Sequence, residues 1–146
     1  MSRKSVTVVD VDMPQTRLAS LFADPSQFTR WMHDMERVEP LSGELGMRGS
    51  RFRLVPKQGD MVFVTTVLER NLPSEVDLNL DAEQVAIFTR ALFQPLSASR
   101  TRLRHEQVFT FKGLFNKLLG ALSRRAMHKA QRRHMEGFKR FAESMN

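Results

Sequence analysis

The stretch that decides the fold is Arg100-Thr101-Arg102-Leu103-Arg104-His105-Glu106-Gln107-Val108-Phe109-Thr110-Phe111, read together with the C-terminal segment from Leu114 to Asn146. Successive side chains of a strand alternate across the pleat, so Leu103, His105, Gln107, Phe109 and Phe111 share one face while Arg100, Arg102, Arg104 and Glu106 take the other. One face is dressed for water and the other is not. From Leu114 to the C-terminus there is neither Pro nor alternation, and Phe115, Leu118, Leu119, Leu122, Ala126, Ala130, Phe138 and Phe141 recur three or four residues apart. That spacing predicts a long amphipathic helix of about eight turns. Gly120 and Gly137 each weaken it by about 1 kcal/mol relative to Ala unless close packing needs them. A helix with one apolar stripe and a sheet with one apolar face bury each other, so the helix lies against the sheet and the twisted sheet wraps around it.

Upstream, turn signals recur every ten residues or so, the pattern of an antiparallel meander. Gly43, Gly46 and Gly49 punctuate an irregular stretch after Pro40. Ser50, Phe52 and Leu54 then alternate with Arg51 and Arg53, and Pro56-Lys57-Gln58-Gly59-Asp60 reads as a hairpin turn. Met61 to Leu68 is a strongly apolar strand. Leu72-Pro73-Ser74 turns the chain, Val76, Leu78 and Leu80 alternate with Asp77, Asn79 and Asp81, and Gln84 to Phe93 is a further strand closed by Pro95. At the N-terminus Ser5 to Val11 is rich in β-branched residues and predicts a strand. Leu18, Leu21 and Phe22 place a short amphipathic helix over Pro14 to Ala23, and Asp24-Pro25-Ser26 opens a second helical turn carrying Phe28, Trp31 and Met32.

The chain has 146 residues, 41% hydrophobic and 27% charged, which is ordinary supply for one globular domain spanning residues 1–146. It contains no Cys, which removes disulfides, thiolate nucleophiles and zinc sites that need sulfur. The four His, at 33, 105, 128 and 134, include no HExxH, so no metal is expected. Gly43-x-x-Gly46-x-x-Gly49 lacks the strand-to-helix setting and the Lys of a phosphate loop, and no cofactor is implied. The longest run without a charge, Ala91 to Ser99, is nine residues, about half a membrane span. Met1-Ser2-Arg3-Lys4-Ser5 does not open a secretory segment, and a cytoplasmic location is expected. The net charge of +7 has a location: residues 1–111 carry 14 basic and 14 acidic side chains, residues 112–146 carry 9 and 2. Basicity therefore belongs to the C-terminal helix rather than to the whole chain.

The order strand, two short helices, long meander and C-terminal helix resembles the helix-grip fold. The wording agrees: Phe22-Ala23-Asp24-Pro25 with Phe28 and Trp31, then Glu39-Pro40-Leu41-Ser42-Gly43, Gly49-Ser50-Arg51-Phe52 and Thr101-Arg102-Leu103. The chain is similar to the START/Bet v 1-like (SRPBCC) superfamily, in particular its bacterial polyketide cyclase/dehydrase and lipid-transport group. The resemblance implies an α+β domain with a curved antiparallel sheet wrapped around the last helix, enclosing a cavity for a hydrophobic molecule such as a lipid, polyketide or isoprenoid-like compound. It supplies no catalytic set to transfer.

Candidate ligand-binding residues are Phe28, Trp31, Met32, Phe52, Met61, Phe63, Phe88, Phe93, Gln107, Phe109, Leu118 and Leu122. His105 is expected to point inward beside Gln107, where a neutral imidazole can meet a ligand carbonyl or act as a general acid or base, and His134 on the last helix can face it. A satisfied core histidine is the competing reading of His105. His33-Asp34 is read as a solvated helix end and His128 as exposed. The basic helix face, with Lys117, Arg124, Arg125, Lys129, Arg132, Arg133, Lys139 and Arg140, reads first as a solvated surface. Next comes contact with an anionic membrane, through Lys117, Arg124, Arg125, Arg132 and Lys139. Last is an adaptor surface for nucleic acid or acidic protein, and here no interleaved aromatic or reader motif points to nucleic acid. Three functions are implied, in this order: a binder or carrier of a hydrophobic ligand, a cyclase- or dehydratase-type enzyme using His105 and His134, and a basic adaptor.

Overall fold

The computed structural model describes residues 2–113 and 124–146. Phe115, Lys117, Leu118, Leu119, Gly120 and Leu122 of the expected helix lie outside the described residues. The chain runs β1 (Ser2–Val11), α1 (Gln15–Phe22), a 3-10 turn (Pro25–Gln27), α2 (Phe28–Trp31), β2 (Met35–Ser42), β3 (Arg51–Pro56), β4 (Phe63–Asn71), β5 (Glu75–Asp81), β6 (Val85–Ser97), β7 (Arg100–Phe111) and α3 (Arg124–Glu143). The strands form one antiparallel sheet in the order β1-β7-β6-β5-β4-β3-β2, a meander whose last strand pairs with the first. The arrangement is the helix-grip fold that the sequence leads one to expect.

Local chemistry explains most of the boundaries. Asp24 caps the 3-10 turn, its Oδ1 accepting from Ser26 N at 3.0 Å and from Ser26 Oγ at 2.7 Å, while Pro25 supplies the fixed φ of the first position. Strand β2 was not expected, because Glu36, Arg37, Glu39 and Pro40 do not alternate with apolar partners. It is an edge strand, where charge and a Pro are tolerated because one side of the backbone needs no ladder partner. Strand β6 runs past Pro95 to Ser97 for a related reason: the bulge after the Pro95–Thr101 pair sits at the hairpin end. Strand β4 begins at Phe63, two residues later than expected, and Met61 is exposed.

Register fixes the faces. Ile87 with Phe109, Thr89 with Gln107, Ala91 with His105, and Phe93 with Leu103 pair across β6 and β7 on the inner face. Phe88, paired with Val108, therefore points outward, where the Arg90 guanidinium lies 5.4 Å from its ring centre. This corrects its expected place in the interior. The apolar run from Val85 to Phe88 hides the alternation that decides it.

The core is a cluster of rings. Phe22 and Trp31 lie 5.0 and 5.1 Å from Phe138 of α3, Phe28 lies 5.6 Å from Trp31 and 5.9 Å from Phe52, and Phe93 meets Phe22 at 5.6 Å. Each such pair contributes about 0.5–1.5 kcal/mol beyond simple burial. The buried face of α3 carries Gln131, Met135, Gly137, Phe138 and Ala142, with Ala126 exposed and Ala130 only half-buried. The stripe is thus turned from the one expected, because Ala fits either face and constrains neither. Gly137 is where α3 meets α2 backbone to backbone: a Cβ there would stand 3.0 Å from the Trp31 carbonyl oxygen. Close packing is the reason for that glycine.

Candidate functional site

A hollow lies between the inner face of the sheet and the helical segment after β1. Phe22, Phe28, Trp31 and Met32 roof it, and Leu54, Leu78, Leu80, Thr89, His105 and Gln107 form its floor. Its walls among the described residues come from α1, α2 and the sheet rather than from α3, which differs from the expected space under the last helix. The cavity volume is about 40 Å³, room for three or four waters at roughly 10–15 Å³ each. A bound organic molecule therefore needs side chains to move, and half-buried Met32, with three rotatable bonds, is suited to that.

The polar end of the hollow is set by β7, with α3 packed behind it. His105 is buried on β7, and Gln131, equally buried, reaches it from α3. Gln131 Nε2 lies 2.9 Å from the His105 carbonyl oxygen and 3.2 Å from that of Ser5, both obligate acceptors. The amide orientation is thereby decided, since a flip would set oxygen against oxygen. The same Nε2 lies 2.9 Å from His105 Nδ1; an amide NH2 cannot accept a hydrogen bond, so Nδ1 is the unprotonated nitrogen, sharing one of the two amide hydrogens with a carbonyl, and the proton of the neutral ring is on Nε2. Ser5 Oγ donates to Gln131 Oε1 at 2.6 Å and so accepts from His128 Nδ1 at 2.9 Å. A chain of hydrogen bonds runs from exposed His128 to the interior.

Burial is the main cause that pushes the His105 pKa down from its ordinary 6.5 to about 3, with His134 adding a smaller repulsion. The ring is neutral at pH 7. Among the described residues the Trp31 indole Nε1 is fully buried with no partner, and the one side-chain hydrogen bond of His105, a residue that borders the hollow, is at Nδ1, so its Nε2–H makes none there. Gln107 Nε2 donates to Thr89 Oγ1 at 3.3 Å on the neighbouring wall.

The remaining expected residues separate into groups. Phe28, Trp31, Met32, Gln107 and His105 border the hollow. Phe52 and Phe93 are core residues behind it, and Phe63 is half-buried against the same core. Phe109 borders a different hollow with Arg3, Lys4, Arg124 and His128. Met61 borders a surface depression with Asp60, Val62, Glu83 and Gln84, which removes it from the interior. Leu118 and Leu122 are outside the described residues. His134 does not pair with His105: its Nε2 meets Asp34 Oδ1 at 2.9 Å, and that bond is the main cause holding the Asp34 carboxyl below its usual range. Sequence reasoning missed Gln131, Ser5, Thr89, Phe22, Leu54, Leu78 and Leu80 as site residues. For Gln131 the available signal was a lone amide four residues from both Met127 and Met135.

On the outer side, Arg124, Arg125, His128, Lys129 and Arg132 line one open face of α3. Arg132 also meets Glu136 at 3.4 Å, and Lys139 is held by the Asp10 carbonyl at 2.6 Å and the Glu143 carboxylate at 2.9 Å. Lys139 is thus a strut between α3 and β1, which corrects its place on the free basic face. Among the described residues no three potential metal ligands converge, and no helix is long and apolar enough to cross a membrane.

Comparison with solved structures places the fold. A START superfamily protein from Mycobacterium smegmatis superposes with a TM-score of 0.83 at 16% identity, over 98% of this chain and 99% of that one. The Zhui aromatase/cyclase from a Streptomyces species matches with a TM-score of 0.71 at 18% identity, over 97% and 96% of the two chains. Norcoclaurine synthase from Thalictrum flavum, a point mutant in complex with a transition-state analogue, matches with a TM-score of 0.72 at 9% identity, over 99% and 96%. No family model matches the chain, and no curated protein matches it. The chain has the START/Bet v 1-like fold.

Proposed function

We propose that this protein is a cytoplasmic binder or carrier of a hydrophobic small molecule of lipid, polyketide or isoprenoid-like character, held between α1–α2 and the inner face of the sheet. The observation that carries the reading is a hollow lined by apolar side chains from both layers, with a few polar groups gathered at one end. Phe28, Trp31, Met32, Gln107 and His105 contact the ligand, with Phe52, Phe63 and Phe93 supporting them. The ligand enters as Met32 and its neighbours separate, and affinity comes from apolar area removed from water at about 25 cal/mol per Å². The solved relatives in fold include an aromatase/cyclase and a synthase. A cyclase- or dehydratase-type reaction with His105 as general acid or base is nevertheless the weaker reading, because a ring neutral down to about pH 3 is a poor proton carrier at pH 7.

Trp31 is the only tryptophan, so its emission reports on the hollow. Titration with the neutral probe N-phenyl-1-naphthylamine should give saturable energy transfer from Trp31, reversed by a competing medium-chain ketone. Absence of saturable transfer up to the probe's solubility limit contradicts the reading.

A second surface is offered by the open basic face. Arg124, Arg125, Lys129 and Arg132 would bring the carrier to an anionic membrane, at about 1 kcal/mol per basic side chain near the surface. Co-sedimentation with phosphatidylserine vesicles, lost in 0.5 M salt and on Arg124→Glu/Arg125→Glu, is the expected outcome. Equal binding to purely zwitterionic vesicles would exclude it.

A further inference from the structure

The polar end of the hollow has a defined sign. Two backbone carbonyls orient the Gln131 amide, the amide makes His105 Nδ1 an acceptor, and the ring's proton is thereby fixed on Nε2. His105 borders the hollow with that N–H unpaired among the described residues. Trp31, which roofs the same hollow, carries a second N–H without a partner among them, the buried Nε1. A buried donor left unmade costs the desolvation of the group, which is the position of Trp31 Nε1, while the His105 Nε2–H has no acceptor among the described residues.

We propose that the hollow selects ligands carrying an acceptor oxygen, a ketone or ester carbonyl set in an apolar body, and that the His105 Nε2–H, held in its tautomer by Gln131, Ser5 and His128, is the specificity-determining donor. This deepens the binding reading of the previous section and rests on it. A ligand lacking the oxygen leaves the His105 N–H without an acceptor. A ligand offering a donor there meets N–H against donor. His105 is a binding residue in this account, and Gln131 and Ser5 are positioning residues that act through it. The chemistry asks nothing of a charged imidazole, since the neutral ring already carries the required proton.

The test uses two molecules of nearly the same shape, acetophenone and α-methylstyrene, which differ by C=O against C=CH2. Equilibrium dialysis gives the affinity of the wild-type chain for each. The ketone should bind about tenfold more tightly than the alkene, as expected for one neutral hydrogen bond together with the relief of a desolvated donor. In His105→Phe that ratio, taken between the two affinities of the variant itself, should collapse toward one. Equal binding of both molecules by the wild type, or a ratio unchanged in His105→Phe, overturns the inference and leaves the hydrophobic hollow standing. Failure of both molecules to bind overturns the hollow and this inference with it. The tautomer is read separately on the wild-type chain by long-range ¹H–¹⁵N correlation of the His105 ring: a proton on Nε2 is expected, and one on Nδ1 contradicts the proposal whatever the variant does.

Discussion

Gln131 Nε2 stands 2.9 Å from both the Nδ1 and the carbonyl oxygen of His105, so a single amide from α3 holds the side chain and the backbone of β7 together. The same amide reaches Ser5 on β1 through its oxygen and its nitrogen. The helix is thus fastened across the two strands that close the meander, at a point directly behind the hollow.

Replacing that amide by an apolar group of similar size exposes what it does. Gln131→Leu removes the amide shared by the His105 ring nitrogen and two carbonyls, and leaves the Ser5 hydroxyl only its bond with His128. A loss of about 2–4 kcal/mol in unfolding free energy is expected, from a shifted urea midpoint at unchanged slope. A change below about 0.5 kcal/mol would mean that water supplies the same bonds.

Acid should destabilise the fold through His105. The unfolded chain takes up this proton as the pH falls below about 6.5, whereas the folded ring resists until about 3. Between those values the unfolded state binds more protons, so stability falls with decreasing pH by up to about 1.4 kcal/mol per unit. The total across the window is on the order of 5 kcal/mol. In His105→Asn the slope of unfolding free energy against pH, measured from pH 6.5 to 4, should be smaller by about one proton. An unchanged slope would show that the ring is hydrated in the folded state.

Gly137→Ala sets two effects against each other. Alanine favours a helix interior by about 1 kcal/mol over glycine. Its Cβ would stand 3.0 Å from the Trp31 carbonyl oxygen, a backbone atom that yields only if α2 and α3 separate. The packing term should win, with a net loss of about 1–2 kcal/mol in thermal or urea unfolding and a changed Trp31 emission. A stabilised variant with unaltered emission would show that the two helices part freely.

Much of the fold was legible in the chain, and the exceptions have causes. The face of β7 was readable from its strict alternation, which places His105, Gln107 and Leu103 on the inner side as found. Phe88 was not, because its strand is apolar on both sides and a one-residue slip exchanges the faces. Strand β2 was invisible since an edge strand carries charge and proline without the pattern of a buried one. On α3 the alanines at 126 and 130 suggested a face that Gln131 and Met135 occupy instead. A lone amide in an apolar stripe is ambiguous until the strands opposite supply its partners. His134 reads as an interior residue by spacing, yet Asp34, one hundred residues away in sequence, draws it to the rim. Contacts of that separation leave no local trace.

The most direct test of the hydrophobic hollow tracks the indole N–H of Trp31, a single and unmistakable resonance because the chain has only one tryptophan. Nonan-2-one titrated into ¹⁵N,¹³C-labelled protein should shift that resonance saturably, together with the methyl groups of Leu78, Leu80 and Met32, and should show nuclear Overhauser contacts between its alkyl chain and the Trp31 ring. An indole resonance that stays in place up to the solubility limit of the ketone, with no such contacts, would contradict the account.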